Sequence, residues 1–162
     1  MSIVKPIFKI SFGFLFLLIS SFGLKAQNYN TAIGLRGGTG LGISAKHFIQ
    51  NDIALEGILN TRYSGFNFTG LYEWHKPAFN TEGFNWFYGL GAHIGFWDGD
   101  KIPWINDNEA YTIIGVDAIG GLEYKIQNLP IAISLDWKPA INLIGYTGFW
   151  GDNAAFSIRY CF

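Results

Sequence analysis

From residue 31 to the last residue, apolar side chains alternate with polar or small ones, and clusters of Gly, Asn, Asp and Pro interrupt the alternation. Successive side chains of a strand point to opposite faces, whereas a helix would scatter both sets around its axis. Residues 66–75 divide most cleanly, with Phe66, Phe68, Gly70, Tyr72 and Trp74 on one face and Asn67, Thr69, Leu71, Glu73 and His75 on the other. The same period predicts strands over 31–38, 41–48, 53–61, 84–96, 111–124, 131–143 and 154–162. That makes about eight strands of roughly ten residues each, the length a tilted strand needs to cross a bilayer. Short turns are expected near residues 38–40, 50–52, 63–65, 77–82 and 127–130, a last loop at 145–151, and the longest connection at 97–110. Pro139 lies within the 131–143 run, and because proline removes a ladder donor a bulge or local break is expected there.

The polar faces carry Arg36, Lys46, Glu56, Glu73, Asp117, Glu123, Asp136, Lys138 and Arg159, so nearly every strand charge falls on one side of the register. The predicted fold is all-β: an eight-stranded antiparallel transmembrane barrel with its aliphatic and aromatic face turned to lipid. Buried charges are tolerable when paired and hydrogen-bonded, so these nine predict a salt-bridge network in the lumen. An eight-stranded barrel leaves an interior just wide enough for side chains, which argues against an open pore. Trp74, Phe84, Trp86, Tyr124 and Phe162 fall at one set of strand ends on the lipid side, as an interfacial aromatic girdle requires.

Residues 1–26 place Lys5 and Lys9 before an apolar run and end on Gly23-Leu24-Lys25-Ala26. That layout predicts a cleaved signal peptide, leaving residues 27–162 as the barrel domain. Cys161 is the only cysteine of an exported chain, so an internal disulfide is excluded and a small buried side chain is expected. A content of 49% hydrophobic and 14% charged residues is too apolar for disorder, and a net charge of -1 gives no electrostatic case for nucleic acid.

The final strand places Phe156, Ile158, Tyr160 and Phe162 on one face and ends on an aromatic residue. It resembles the C-terminal sorting signal of bacterial outer-membrane barrels, and the mature chain resembles the small outer-membrane β-barrel class, OmpA/OmpX-like or Bacteroidetes-type. The resemblance implies a bacterial outer membrane with both barrel ends in the periplasm, lipid as surroundings, and the barrel-insertion machinery as a partner during assembly. It implies no cofactor and no catalytic motif, and the expected role is structural or surface-interacting.

Two alternatives follow from the residues. A lipid-modifying outer-membrane enzyme would need a Ser and a His together near the outer rim; His93 has no nearby Ser on its face, and Ser134 and Ser157 have no local His. A soluble lipocalin-like barrel also alternates, but with apolar residues inside and charges outside. His47, His75 and His93 match no metal-site spacing, and Gly37-Gly38-Thr39-Gly40 lacks the Lys-Ser/Thr of a phosphate loop. Trp97, Trp104, Phe149 and Trp150 sit among Gly, Asp and Asn in the expected outer loops, where they read as an outer girdle or as binding anchors.

Overall fold

The computed structural model describes residues 29–62, 64–98 and 110–162. The expected signal peptide at 1–26, Trp104 and most of the 97–110 connection lie outside the described residues. The strand segments are β1 (Thr31–Gly38), β2 (Leu41–Gln50), β3 (Ile53–Arg62), β4 (Gly65–Pro77), β5 (Phe84–Asp98), β6 (Ala110–Lys125), β7 (Ile131–Trp137), β8 (Ala140–Ile144), β9 (Gly148–Trp150) and β10 (Ala154–Cys161). Each pairs antiparallel with its neighbours, and β1 pairs with β10, which closes the sheet into a barrel. Closure is completed by a reciprocal clasp: Thr31 N–H donates to Phe162 O at 3.1 Å and Phe162 N–H donates to Thr31 O at 2.8 Å.

The ten segments make eight staves. β7 and β8 face β6 in one unbroken register, Gly120 opposite Trp137 and Asp117 opposite Ala140. Pro139 interrupts the strand between them, as its missing N–H dictates, yet its carbonyl still accepts from Ala118 N–H at 3.0 Å. The register slips further on, between Asn142 and Ile144. β9 and β10 form the last stave. Opposite Lys138 and Pro139 this stave runs through Gly151, Asp152 and Asn153, between the pairs Trp150/Ala140 and Ala154/Trp137. Three residues facing two make a bulge that pushes Asp152 out of the wall. The expected loop at 145–151 therefore shrinks to a turn at 145–147, where Gly145 adopts φ +89°.

The alternation holds throughout. Leu35, Leu59, Phe68, Leu90, Leu135 and Ile158 lie exposed on the outer face, while all nine charged residues of the polar faces are buried inside. A lipocalin-like barrel requires the reverse, so the buried positions of Arg36, Glu56, Glu73 and Asp136 overturn that alternative. On the side formed by β3 to β6 the interior also holds Ile58, Leu71, Phe87 and Ile119 in one apolar cluster. Cys161 packs inward against Ala32 and Ala132.

Stave length varies. β1 has 8 residues and β6 has 16, so the rim opposite the chain ends is oblique, low at the β1–β2 turn and high at β5 and β6. The rim carrying Tyr29 and Phe162 is called here the terminal rim, and the other the far rim.

Candidate functional site: the barrel interior and its far rim

Strand parity sends the charged residues inward, and closure brings together residues from distant parts of the sequence. Nearer the terminal rim, Lys46 Nζ lies 2.8 Å from Glu73, 3.2 Å from Glu56 and 3.3 Å from Glu123. Arg159, with 0% exposure, donates from Nη2 to Glu56 Oε1 at 2.6 Å, from Nη1 to Ser134 Oγ at 2.8 Å, and from Nε to Ser44 Oγ at 2.6 Å. Its Nη1 also lies 3.4 Å from Glu123. The Tyr29 hydroxyl donates to Glu123 from the terminal rim, and His75 Nε2 sits 3.1 Å from Glu73 while its ring stacks on Phe87. One guanidinium and one ammonium thus tie carboxylates of β3, β4 and β6 across the lumen.

Further along, Arg36 and Asp136 form a bidentate pair at 2.5 and 2.6 Å, the planar fork that suits guanidinium to carboxylate. Asp117 accepts from Lys138 Nζ at 2.5 Å and lies 2.7 Å from His93 Nδ1. His93 Nε2 is 2.9 Å from Asn142 Oδ1. All nine sequence-predicted interior residues are therefore gathered into two groups of buried ion pairs, with Arg36, Asp136, Lys138 and Asp117 toward the far rim.

Aromatic rings turn inward at the far rim, and three of the four expected loop aromatics stand on strands. Trp97 is the last inward residue of β5 and only 5% exposed, its indole N–H donating to Arg62 O at 2.7 Å. It fits because Gly65 and Gly95 leave the wall bare beneath the ring; a Cβ at either glycine would collide with it. Trp150 belongs to β9 and stacks on His93 at 5.9 Å, with Trp97 edge-on at 5.7 Å. Phe149 is likewise a strand residue, but points outward and is 66% exposed. Arg62 packs against the inward rings, its guanidinium 4.9 Å over the Trp150 ring and bonded to Asp152 at 2.7 Å and Asn153 at 2.8 Å.

Sequence reasoning missed Arg62, Tyr29 and Asn153, and it set Asn67 and Asn142 on the polar faces without naming them among the interior residues. Arg62 has the parity of Glu56, so the alternation of β3 carried one residue further would have placed it inside. Tyr29 and Asn153 lie outside regular strands and gave no such signal.

Chemically, the interior offers little to a nucleophilic mechanism. Both nitrogens of His93 are engaged by Asp117 and Asn142, and among the described residues no Ser hydroxyl bonds to a histidine. The hydroxyl nearest to such a role is Thr31, 2.8 Å from His47 Nδ1 in an exposed position near the terminal rim. Among the described residues no group of three His, Cys, Asp or Glu side chains is arranged to hold a metal ion.

Fold and interior together define a class: a closed, all-β, eight-stave antiparallel barrel, apolar outside and charged within. Among solved structures it is similar to the N-terminal β-barrel domain of Pseudomonas aeruginosa OprF, with a TM-score of 0.68 over 85% of this chain and 100% of that chain. Sequence identity is 14%, so the likeness is one of fold. No protein-family model matches the chain, and no curated protein matches it significantly.

Proposed function

We propose that the protein is an integral barrel of a bacterial outer membrane with a structural or surface-interaction role, and that its lumen is plugged by its own side chains. One observation carries this reading: the barrel is inside out relative to a water-soluble protein, with paired charges buried and large aliphatic residues covering the exterior. A continuous apolar exterior needs a hydrocarbon surrounding, since soluble monomers rarely expose large contiguous apolar surface. Both chain ends of the barrel then lie in the periplasm, the far rim faces outward, and lipid contacts the aromatic belt of Trp74, Trp86, Tyr88 and Tyr124. Three of these rings touch in series, Trp74 on Tyr88 at 5.5 Å and Tyr88 on Trp86 at 5.3 Å, while Tyr124 lies 5.8 Å from Phe84. Residues 1–26 act as the export signal and 27–162 as the mature barrel. The buried ion pairs hold the staves together, and no reaction is assigned to them.

Expression of the full-length gene followed by fractionation is expected to recover a shortened chain in the outer membrane, migrating faster on gels before heating than after. Recovery of a soluble periplasmic protein overturns the reading. Phe156, Ile158, Tyr160 and Phe162 form the sorting strand recognised by the insertion machinery. Phe162→Ala keeps both backbone hydrogen bonds to Thr31, so the purified variant should refold normally in detergent while its yield in the outer membrane falls several-fold. Equal loss in refolding and in cells would assign Phe162 to stability instead of sorting.

A further inference from the structure

The two groups of interior charges differ in their balance. Toward the far rim two cations, Arg36 and Lys138, face two carboxylates, Asp136 and Asp117. Nearer the terminal rim Lys46 and Arg159 face three, Glu56, Glu73 and Glu123, none more than 2% exposed. One negative charge is left over where an uncompensated charge is costly.

Two atoms mark where the surplus lies. Glu73 Oε1 and Glu56 Oε2 are buried without a hydrogen-bond partner, the latter although Lys46 Nζ lies 3.2 Å away. The carboxyl groups of Glu56 and Glu73 stand within hydrogen-bond reach of each other, on the neighbouring staves β3 and β4. Ionised carboxylates only accept, so neither group can meet the other's need while both are charged. A proton on one of them turns the contact into a donor and an acceptor and cancels the surplus.

His75 is the other group placed to hold that proton, its Nε2 3.1 Å from Glu73 Oε2. Its Nδ1, however, is buried without a partner. An imidazolium would leave an N–H there with no acceptor, whereas the neutral ring donates from Nε2 and leaves only a lone pair unmet. Glu56 is fixed as the carboxylate by Arg159, at 2.6 Å, and by the field of Arg36, and Glu123 accepts from the Tyr29 hydroxyl while facing both Lys46 and Arg159. Glu73 has no guanidinium against it, and its Oε2 takes Lys46 at 2.8 Å, which leaves Oε1 for the proton.

We propose that the lumen binds one proton, carried on Glu73 and shared with Glu56, and that this proton locks β3 and β4 into the network of Lys46 and Arg159. Losing it sets two carboxylates against each other inside the wall, so the barrel loses stability as pH rises. The site lies wholly inside the barrel and goes beyond the structural role above, whether lipid or detergent covers the outside.

The test uses the full mature chain folded in detergent micelles. In neutral buffer its infrared spectrum should show the C=O stretch of a protonated carboxyl, which disappears on heat unfolding and is absent from Glu73→Gln. The amide of that variant donates and accepts where the protonated carboxyl does, so its urea midpoint at neutral pH should match or exceed the parent's. Between about pH 5 and neutral the unfolding constant of the parent should rise about tenfold per pH unit relative to Glu73→Gln, the slope of one proton that the folded barrel keeps and the unfolded chain releases. Titrations common to both proteins cancel in that ratio. Unheated gel mobility checks that the variant is folded. A parent spectrum without the protonated-carboxyl band overturns the proposal, as does a band that survives in Glu73→Gln. Parallel pH profiles of the two proteins, or a Glu73→Gln chain that fails to fold or unfolds at lower urea than the parent, overturn it equally.

Discussion

Replacing Arg159 by Met is expected to remove about 3–5 kcal/mol of barrel stability, the usual cost of taking one partner from a buried ion pair. Met keeps much of the volume, so the loss measures charge and hydrogen bonding more than a cavity. Arg159 stands on β10 and reaches Ser44 of β2, Glu56 of β3, Glu123 of β6 and Ser134 of β7, so its removal releases contacts on four other staves at once. Glu56 and Glu123 would then share the single ammonium of Lys46 with Glu73 in a buried site. Urea unfolding in micelles, read by the difference in mobility of heated and unheated samples, gives the change in midpoint. Arg159→Met combined with Glu56→Gln should recover part of the loss, since the charge left unpaired is removed with its partner. A midpoint unchanged in the single variant would mean that water enters the lumen and solvates these carboxylates.

The fold was legible in the chain because a barrel wall one residue thick writes its inside and outside into alternate positions. Every strand from Thr31 to Phe162 obeys that rule, and the side of each of the nine charges could be read without knowing any partner. Which charge meets which could not be read. Arg36 and Asp136 are 100 residues apart, as Arg159 and Glu56 are 103 apart, and their meeting depends on the stagger of the staves around the barrel. His93 with Asp117 and Asn142 is a product of the same stagger.

The misplacement of Trp97 and Trp150 has a different origin. Both stand beside Gly and Asp, which mark turns, so they read as loop residues although each shares the inward parity of its strand. The signal that would have corrected Trp97 is spatial: Gly65 on β4 and Gly95 on β5 vacate the room its indole occupies. Pro139 was easier, because its missing donor acts locally, whereas the extra residue facing it on the neighbouring stave, which pushes Asp152 out of the wall, appears only when the two staves are aligned.

Leu35→Arg is expected to cost about 2–4 kcal/mol if the exterior faces lipid, and less than about 0.5 kcal/mol if it faces water. Leu35 sits midway along β1, is 70% exposed, and stands between Ile43 of β2 and Ile158 of β10. Its neighbours on the outer face offer no carboxylate, so an arginine there finds no partner and must either enter hydrocarbon or draw water and headgroups toward it. Nothing inside the barrel changes, because position 35 has the outward parity, and the ion pairs of Arg36 and Arg159 are left intact. The measurement is the unfolding midpoint in lipid vesicles, compared with Thr147→Arg, an exposed position of the 145–147 turn at the far rim. A large loss at 35 with little at 147 gives the depth dependence of a membrane-spanning wall. Equal, small effects at both would show that the apolar exterior is covered by something other than a bilayer and would remove the physical basis for the outer-membrane reading, since that reading rests on what surrounds Leu35 and its neighbours.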